Sequence, residues 1–537
     1  MSSIAPVSRS GRRAPQFQDK PSCRAWVRAL PLTNVQLSHT TLHTQLRLLN
    51  HHAAAPLERL KMMEELREAA AFLQGELGRQ YWSQAAPLNY SGQAAWDSVA
   101  ELWREILDGY RICLNEGRGD AAMTAYIPLA TQRCLRYGGL LALESYRVYR
   151  ELPAALWEDL HAFYRFAEGK GFAAQPVKDR LSQAGSSSTC QGVYLQTVLI
   201  HLANPYQFTP KQLAIVYRWL DAWAVRAELL PAGGIPSQPA AAVDIGGDAP
   251  PNHESGTLTA PRYLDTRRLA ATLKKRIYRL QQGDRPAAIG LGADCAQPGC
   301  ARLLAQVYHY WTRGRPQRLL PRRHASPRAE LCFGLDAAYF HTAGGKAFTQ
   351  PQRESGLKRD DLEDLRLLGR AAAASAPAVS TAADAPLEVW EIRDESALGF
   401  GLLRHPRQGA PVAQNQLVAV RPFDGKRFAL GTIRWLTIGA DNDMQAGIRM
   451  FPGVPVPLAA RPWPCDPETE RFSPVFLLPA VAAVHSVETL VLPPEIYRQG
   501  QLEVVAAEAQ YTVTLTGLLE KGRGYVLAAF TCPATVR

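Results

Sequence analysis

Apolar residues recur at helical spacing through most of the first 230 positions. Met62, Met63, Leu66, Ala70 and Leu73 fall on one helix face, as do Trp96, Val99, Trp103, Ile106, Leu107 and Tyr110. The segment from Pro153 to Glu168 presents Leu156, Leu160, Phe163, Tyr164 and Phe166, with Pro153 suited to a first helical turn. Thr209-Pro-Lys-Gln-Leu reads as a capped helix start, followed by Ile215, Val216, Trp219, Leu220 and Trp223. The pattern predicts an all-α domain over 31–230 whose aromatics are core residues between antiparallel helices. No repeat of about 34 residues marks a solenoid.

A proline- and glycine-rich stretch at 231–261 reads as a linker. An amphipathic helix is expected next, over about 265–282, with Leu269, Leu273, Ile277 and Leu280 on one face and Arg267, Arg268, Lys274, Lys275 and Arg279 on the other. A second helix spans about 298–312. The period then shortens to two. Ala329 to Phe340 reads as a strand, and a helix-like stretch from Leu357 to Arg370 and an alanine-rich run lie within an insert at about 346–386. Strand-like runs follow at Leu387–Arg393, Gln416–Arg421, Phe428–Leu436 and Gly447–Phe451, separated by turn residues. The expected class is α+β multidomain: a helical domain, then an antiparallel β-barrel within 262–455, then a β extension over 456–537.

Composition refines this picture in three places. Residues 1–30 are polar and basic, and a disordered tail is expected there. No apolar run reaches the roughly 18–20 residues of a membrane span, and a cytoplasmic protein is expected. Nine scattered cysteines are read as reduced thiols; Cys295 and Cys300 form the one close pair and lack partners at zinc-site spacing. The net charge of +11 is concentrated: Arg262 to Arg328 holds 15 Lys and Arg against Asp265, Asp284 and Asp294. Such a concentration favours an anionic partner.

The candidate chemistry sits at two points. Arginines crowd 313–328: Arg313, Arg315, Arg318, Arg322, Arg323 and Arg328. Downstream, Asp394-Glu-Ser396-Ala-Leu-Gly399 closes a strand. Guanidinium groups grip phosphates and purine edges, a carboxylate accepts from purine N–H groups, and a glycine admits close backbone approach. With the paired runs Leu430-Gly-Thr-Ile-Arg-Trp435 and Ala446-Gly-Ile-Arg449, this order resembles the PilZ family of cyclic di-GMP receptors over about 315–455. The resemblance implies a PilZ-like barrel that binds cyclic di-GMP through Arg318, Arg322, Arg323, Arg328, Asp394, Ser396 and Gly399. Arg318 and Arg322 have the family's spacing, while Arg322, Arg323 and Arg328 abut the strand. The resemblance also implies an arginine segment that folds over the ligand.

No phosphate loop, nucleophile elbow or paired acids are found, and Gly290-Leu-Gly292 lacks the third glycine of a dinucleotide fold. His51, His52 and His161 are read as structural. The expected function is a non-enzymatic second-messenger receptor or adaptor with no cofactor, coupled to a protein partner through the helical domain. The alternatives are a nucleic-acid binder using 262–328 and a PilZ scaffold without ligand.

Overall fold

A computed structural model describes residues 14–182, 185, 187–231, 241–252, 258–314, 328–351, 386–396, 398–406, 409–464, 471–498, 500–506 and 509–532. The chain divides into two compact units, Met1–Gln317 and Arg318–Arg537.

The first unit opens with α1 (Lys20–Ala29), α2 (Val35–His51), α3 (Pro56–Gly78) and α4 (Tyr90–Glu116). Next come α5 (Ile127–Arg147) and α6 (Ala154–Gly169), a short ribbon of β1 (Val177–Lys178) and β2 (Ser187–Ser188), then α7 (Cys190–Leu202) and α8 (Pro210–Trp223). Local chemistry starts several of these helices. Asn34, Asn89 and Thr189 each accept a backbone N–H three residues on, and Thr209 with Gln212 forms a capping box. The central helix is α5, buried on nearly every side. Cys134, Tyr137 and Leu141 join a core built with α1 to α4, while Leu135, Leu143 and Tyr146 join a second core with the later elements.

Of the expected tail at 1–30, residues 14–30 are described, and they are folded onto the helical unit. Phe17 and Cys23 are buried, Asp19 caps α1 in a capping box with Ser22, and Arg24 forms a two-pronged ion pair with Glu65 on α3. Lys20, Arg24 and Arg28, among the polar residues that suggested disorder, lie on the solvent side of an amphipathic helix.

The expected boundary at 231–261 is also displaced. That stretch carries strands. β3 (Glu228–Pro231), β4 (Ala242–Asp244) and β5 (Pro261–Asp265) form a sheet in the order β3-β5-β4. Ala241, Val243 and Ile245 lie in the same core as Leu264. Asp244 accepts the backbone N–H groups of Gly246, Thr259 and Ala260 and ties the ends of the loop together. The helices α9 (Arg267–Gln281) and α10 (Gly299–Arg313) complete that core with Leu269, Leu273, Leu304, Val307 and Trp311. They therefore belong with the helical unit rather than with the β domain. Proline and glycine report where a chain turns, not whether the strands between the turns are buried. A fragment ending at residue 232 removes this part of the core and should fail to fold, whereas residues 14–317 should fold alone. Near-ultraviolet circular dichroism of the two fragments checks this; a native-like spectrum from the shorter one would refute it.

A further correction concerns the thiols. Cys295 and Cys300 are joined in a disulfide that ties the first turn of α10 to the residues before it, with Cα atoms 5.1 Å apart, inside the bridging range of about 4.4–6.8 Å. Cys23, Cys113, Cys190 and Cys332 are free, and burial pushes each thiol up to about 12.

The second unit contains two closed barrels. The first has the order β10-β11-β8-β7-β6-β9, with β6 (Arg328–Phe333), β7 (Glu388–Ser396), β8 (Gly399–Arg404), β9 (Leu417–Pro422), β10 (Ala429–Ile438) and β11 (Met444–Met450). The second has the order β12-β13-β14-β17-β16-β15, with β12 (Val456–Trp463), β13 (Ser473–Leu478), β14 (Thr489–Leu492), β15 (Gln501–Ala506), β16 (Ala509–Lys521) and β17 (Val526–Thr531). All neighbours pair antiparallel. The expected β extension is thus a barrel in its own right.

The run from Ala329 to Phe340 is not one strand. Gly334, at φ +90°, ends β6, and α11 (Leu335–Thr342) begins there. Leu335 and Ala338 of α11 pack with Cys332, Leu417 and Leu430 of the first barrel and Phe476, Val491 and Leu527 of the second. One apolar cluster therefore joins the two barrels. Most of the insert, including the helix-like stretch at 357–370, lies outside the described residues.

Candidate ligand face on the first barrel

The Asp394–Gly399 motif forms the tip of the β7–β8 hairpin. Asp394 lies opposite Gly401, and Ser396 lies opposite Gly399. A bulge between Ile392 and Asp394 shifts the register and turns the end of β7. At the tip the Ser396 hydroxyl donates to the Gly399 carbonyl at 3.3 Å.

Each glycine here has a steric cause. A Cβ on Gly399 would collide with the Ile448 carbonyl oxygen of β11, so β8 and β11 approach more closely than any larger residue allows. Gly401 would meet the Asp394 carboxylate, and Gly447 would meet the Trp435 indole. The pairing lines these up. Asp394 of β7, Gly401 of β8, Gly447 of β11 and Trp435 of β10 are consecutive partners across four strands. The neighbouring Leu402, Ala446 and Leu436 are fully buried. Alternation therefore turns the row of Asp394 and Trp435 to the outside of the barrel. A second bulge, between Ile433 and Trp435, aligns the indole with Gly447. The outcome is a carboxylate and an indole, both half-buried, laid over two glycines.

The adjacent row is Ser396, Gly399, Arg449 and Thr432. Arg449 pairs with Glu520 on β16 of the second barrel, and Glu520 also accepts from the Tyr525 hydroxyl at 2.7 Å. The outward face thus runs to the seam between the barrels.

Of the expected arginines, Arg328 opens β6 and pairs in register with Glu391 of β7. That puts it on the strand beside Asp394, roughly 10 Å away along the strand direction. Arg318, Arg322 and Arg323 lie outside the described residues. The structure thus brings Asp394, Ser396 and Gly399 together and leaves Arg328 one strand away. It adds Trp435, Gly401 and Gly447. Gly447 and Trp435 stood in the paired runs that carried the family resemblance, but their mutual contact depends on a bulge that has no sequence signature.

The local role of Gly399 can be tested apart from any ligand. Gly399→Ala should destabilise the second unit by about 1–3 kcal/mol in chemical denaturation, because the added methyl meets paired backbone that cannot rotate away. Gly517→Ala, where a Cβ meets nothing within 4 Å, should change stability by less than about 0.5 kcal/mol. Equal effects at the two positions would contradict the close approach.

In the helical unit, the amphipathic α9 buries Leu269, Leu273 and Leu280. Its exposed Arg268, Lys274 and Lys275 form no ion pair with a described residue, whereas Arg267 pairs with Asp265 and Arg279 with Asp284. No described helix is long and apolar enough to cross a membrane.

Comparison with known proteins bears on both units. Residues 21–232 match the family model described as the N-terminal domain of cyclic-di-GMP receptor FimW. A Pseudomonas aeruginosa protein named Cyclic-di-GMP receptor FimW is 20% identical over 520 residues, which cover 88% of this chain and 84% of that protein. The chain is therefore similar to that receptor along most of both lengths, and its helical unit is where the family model matches.

Proposed function

We propose that this chain is a cyclic di-GMP receptor that binds its ligand on the outward face of a PilZ-like first barrel. The observation that carries the proposal is the Asp394–Gly401–Gly447–Trp435 row beside Ser396 and Gly399, in a chain similar over most of its length to a named receptor for that ligand. Guanine offers N1 and N2 donors to the Asp394 carboxylate. Its O6 and N7 acceptors match the fork of an arginine. The Trp435 indole offers a surface for base stacking. Arg318, Arg322, Arg323 and Arg328 supply the charge that two phosphates require. In this reading the helical unit engages a protein partner, and ligand changes partner affinity only through its preference between two arrangements of the receptor.

The test is isothermal calorimetry of the purified full chain. Saturable binding of cyclic di-GMP is expected, with cyclic di-AMP bound far more weakly, because adenine lacks the N1–H donor that a carboxylate accepts. A folded protein that takes up no heat with cyclic di-GMP would sink the proposal.

The exposed cations of α9 favour a second reading, a polyanion binder. Binding of this kind should weaken steeply with added salt and be insensitive to Asp394→Ala.

A further inference from the structure

The helix α9 turns its apolar side inward, where Leu269, Leu273 and Leu280 are buried in the core of the helical unit. The opposite side carries Arg267, Arg268, Ala271, Lys274, Lys275, Tyr278 and Arg279, all exposed. At about 3.6 residues per turn, Ala271 and Tyr278 fall on the centre line of that side, about 10 Å apart along the axis. Arg267 and Lys274 flank the line on one side, and Arg268, Lys275 and Arg279 flank it on the other. The face is therefore two rows of cations separated by a small residue and a tyrosine, itself 61% exposed.

The charge of this face is poorly compensated. Arg267 pairs with Asp265 and Arg279 with Asp284, but Arg268, Lys274 and Lys275 reach no carboxylate among the described residues. Further guanidinium groups crowd the edge of the helix. Arg226 donates to the Thr272 hydroxyl at 2.9 Å, and Arg276 lies over the Trp223 ring. Burial, and then the nearby Arg226 and Arg279, lower the Arg276 guanidinium from its ordinary value. Cations held this close favour an anion that spans several of them.

Shape narrows the choice of anion. A helix with its side chains is about 10–12 Å across, and the major groove of B-DNA is about 12 Å wide with a phosphate backbone along each wall. Each cation row would face one wall. A bilayer is a poor match, because an interfacial helix inserts its apolar side, and that side of α9 is committed to the core. Duplex RNA is a poor match as well, because its deep, narrow major groove does not admit side chains. Ala271 on the centre line offers no group that reads a base edge, so the contacts fall on phosphates and carry no sequence preference.

We propose that the exposed face of α9 binds double-stranded DNA, lying along the major groove with one row of cations on each backbone. The proposal rests on the polyanion reading of these cations and narrows it to one partner. It concerns the helical unit and stands apart from the barrel face.

The experiment titrates a labelled DNA duplex of mixed sequence with the full chain and reads fluorescence anisotropy. Binding is expected at low salt, with log affinity falling against log salt at a slope of about −3 to −4.5, as for about three to five neutralised phosphates. Lys274→Ala and Lys275→Ala, one from each row, should each weaken binding about three- to tenfold and reduce the slope by about one. Lys274→Glu combined with Lys275→Glu should abolish binding at an unchanged melting temperature, since both side chains stand in solvent. Arg79→Ala, which removes an exposed cation on α3, should leave binding as it was. A wild type that binds no DNA duplex, or a charge-reversed variant that binds as before, would overturn the proposal. Equal affinity for an RNA duplex of the same length would do the same. Heparin or phosphatidylglycerol vesicles bound without duplex DNA overturn the proposal and leave the polyanion reading standing, whereas binding to none of them ends both.

Discussion

Replacing Asp179 by Ala should destabilise the helical unit by about 3–5 kcal/mol, the expected penalty for removing one partner from a buried ion-pair network. Asp179 is fully buried just after β1. It holds Arg67 at 2.7 Å, Arg136 at 3.3 Å and Arg133 at 3.4 Å, and it also accepts from Gln132 and from the Leu181 backbone. The three arginines come from α3 and α5 and are themselves nearly excluded from water. Removing the carboxylate takes a shared counter-charge from all three at once and leaves Arg67 and Arg133 with Glu64 alone and Arg136 with Asp221 alone. By contrast, the Arg79–Glu76 pair lies at the surface, and Glu76→Ala should change stability by less than about 0.5 kcal/mol. Thermal or urea denaturation of residues 14–317 measures both changes, and equal effects would mean that Asp179 carries no special load.

The same residue sets a pH dependence. Burial alone would raise the Asp179 carboxyl, but Arg67, Arg133 and Arg136 together outweigh it and hold the group well below the usual carboxylate range. A depressed folded-state value means that the contribution is fully present above the unfolded value of about 3.9 and is lost as pH falls from there through the folded value. Stability of the unit should therefore decline below about pH 4, and Asp179→Asn should flatten part of that decline.

The second large effect concerns the ligand. If the barrel face binds cyclic di-GMP, replacing Arg322 and Arg323 together by Ala should weaken binding by several kcal/mol, at about 1.5–3 kcal/mol for each charge-assisted bond lost. Asp394→Ala should weaken it as well while leaving any salt-dependent polyanion binding in place. Calorimetry on the three proteins at one salt concentration separates the outcomes. Unchanged affinity in the double variant removes these arginines from the site, and unchanged affinity in Asp394→Ala removes the hairpin tip.

Helix positions in the first 230 residues were legible because burial on one face leaves a 3.6-residue period, and the runs around Leu66, Trp103 and Trp219 all fall in the cores. In the first barrel β7, β9, β10 and β11 were legible as strand-like runs, whereas β8 was not singled out and β6 was read as running on into α11. Phe17 and Cys23 were not legible, because two buried residues in a basic stretch carry too little periodic signal. Val243 and Ile245 were hidden among prolines and glycines for a related reason: a three-residue strand is too short to show alternation.

Taken alone, then, the sequence determined the positions of most long helices and of most strands in the first barrel, and the residue types at the hairpin tip. Periodicity, turn residues and the Asp394-x-Ser396-x-x-Gly399 spacing are local, and local sterics act within a few residues. Only the tertiary structure decided which elements share a core. It moved α9 and α10 into the helical unit, gathered Arg67, Arg133 and Arg136 around Asp179, and used two β-bulges to lay Asp394 and Trp435 over a pair of glycines. Several of those contacts join residues far apart in sequence, Arg67 and Asp179 being separated by 112 positions. Their register is set by the packing of whole strands and helices, a long-range outcome that no short window of sequence contains.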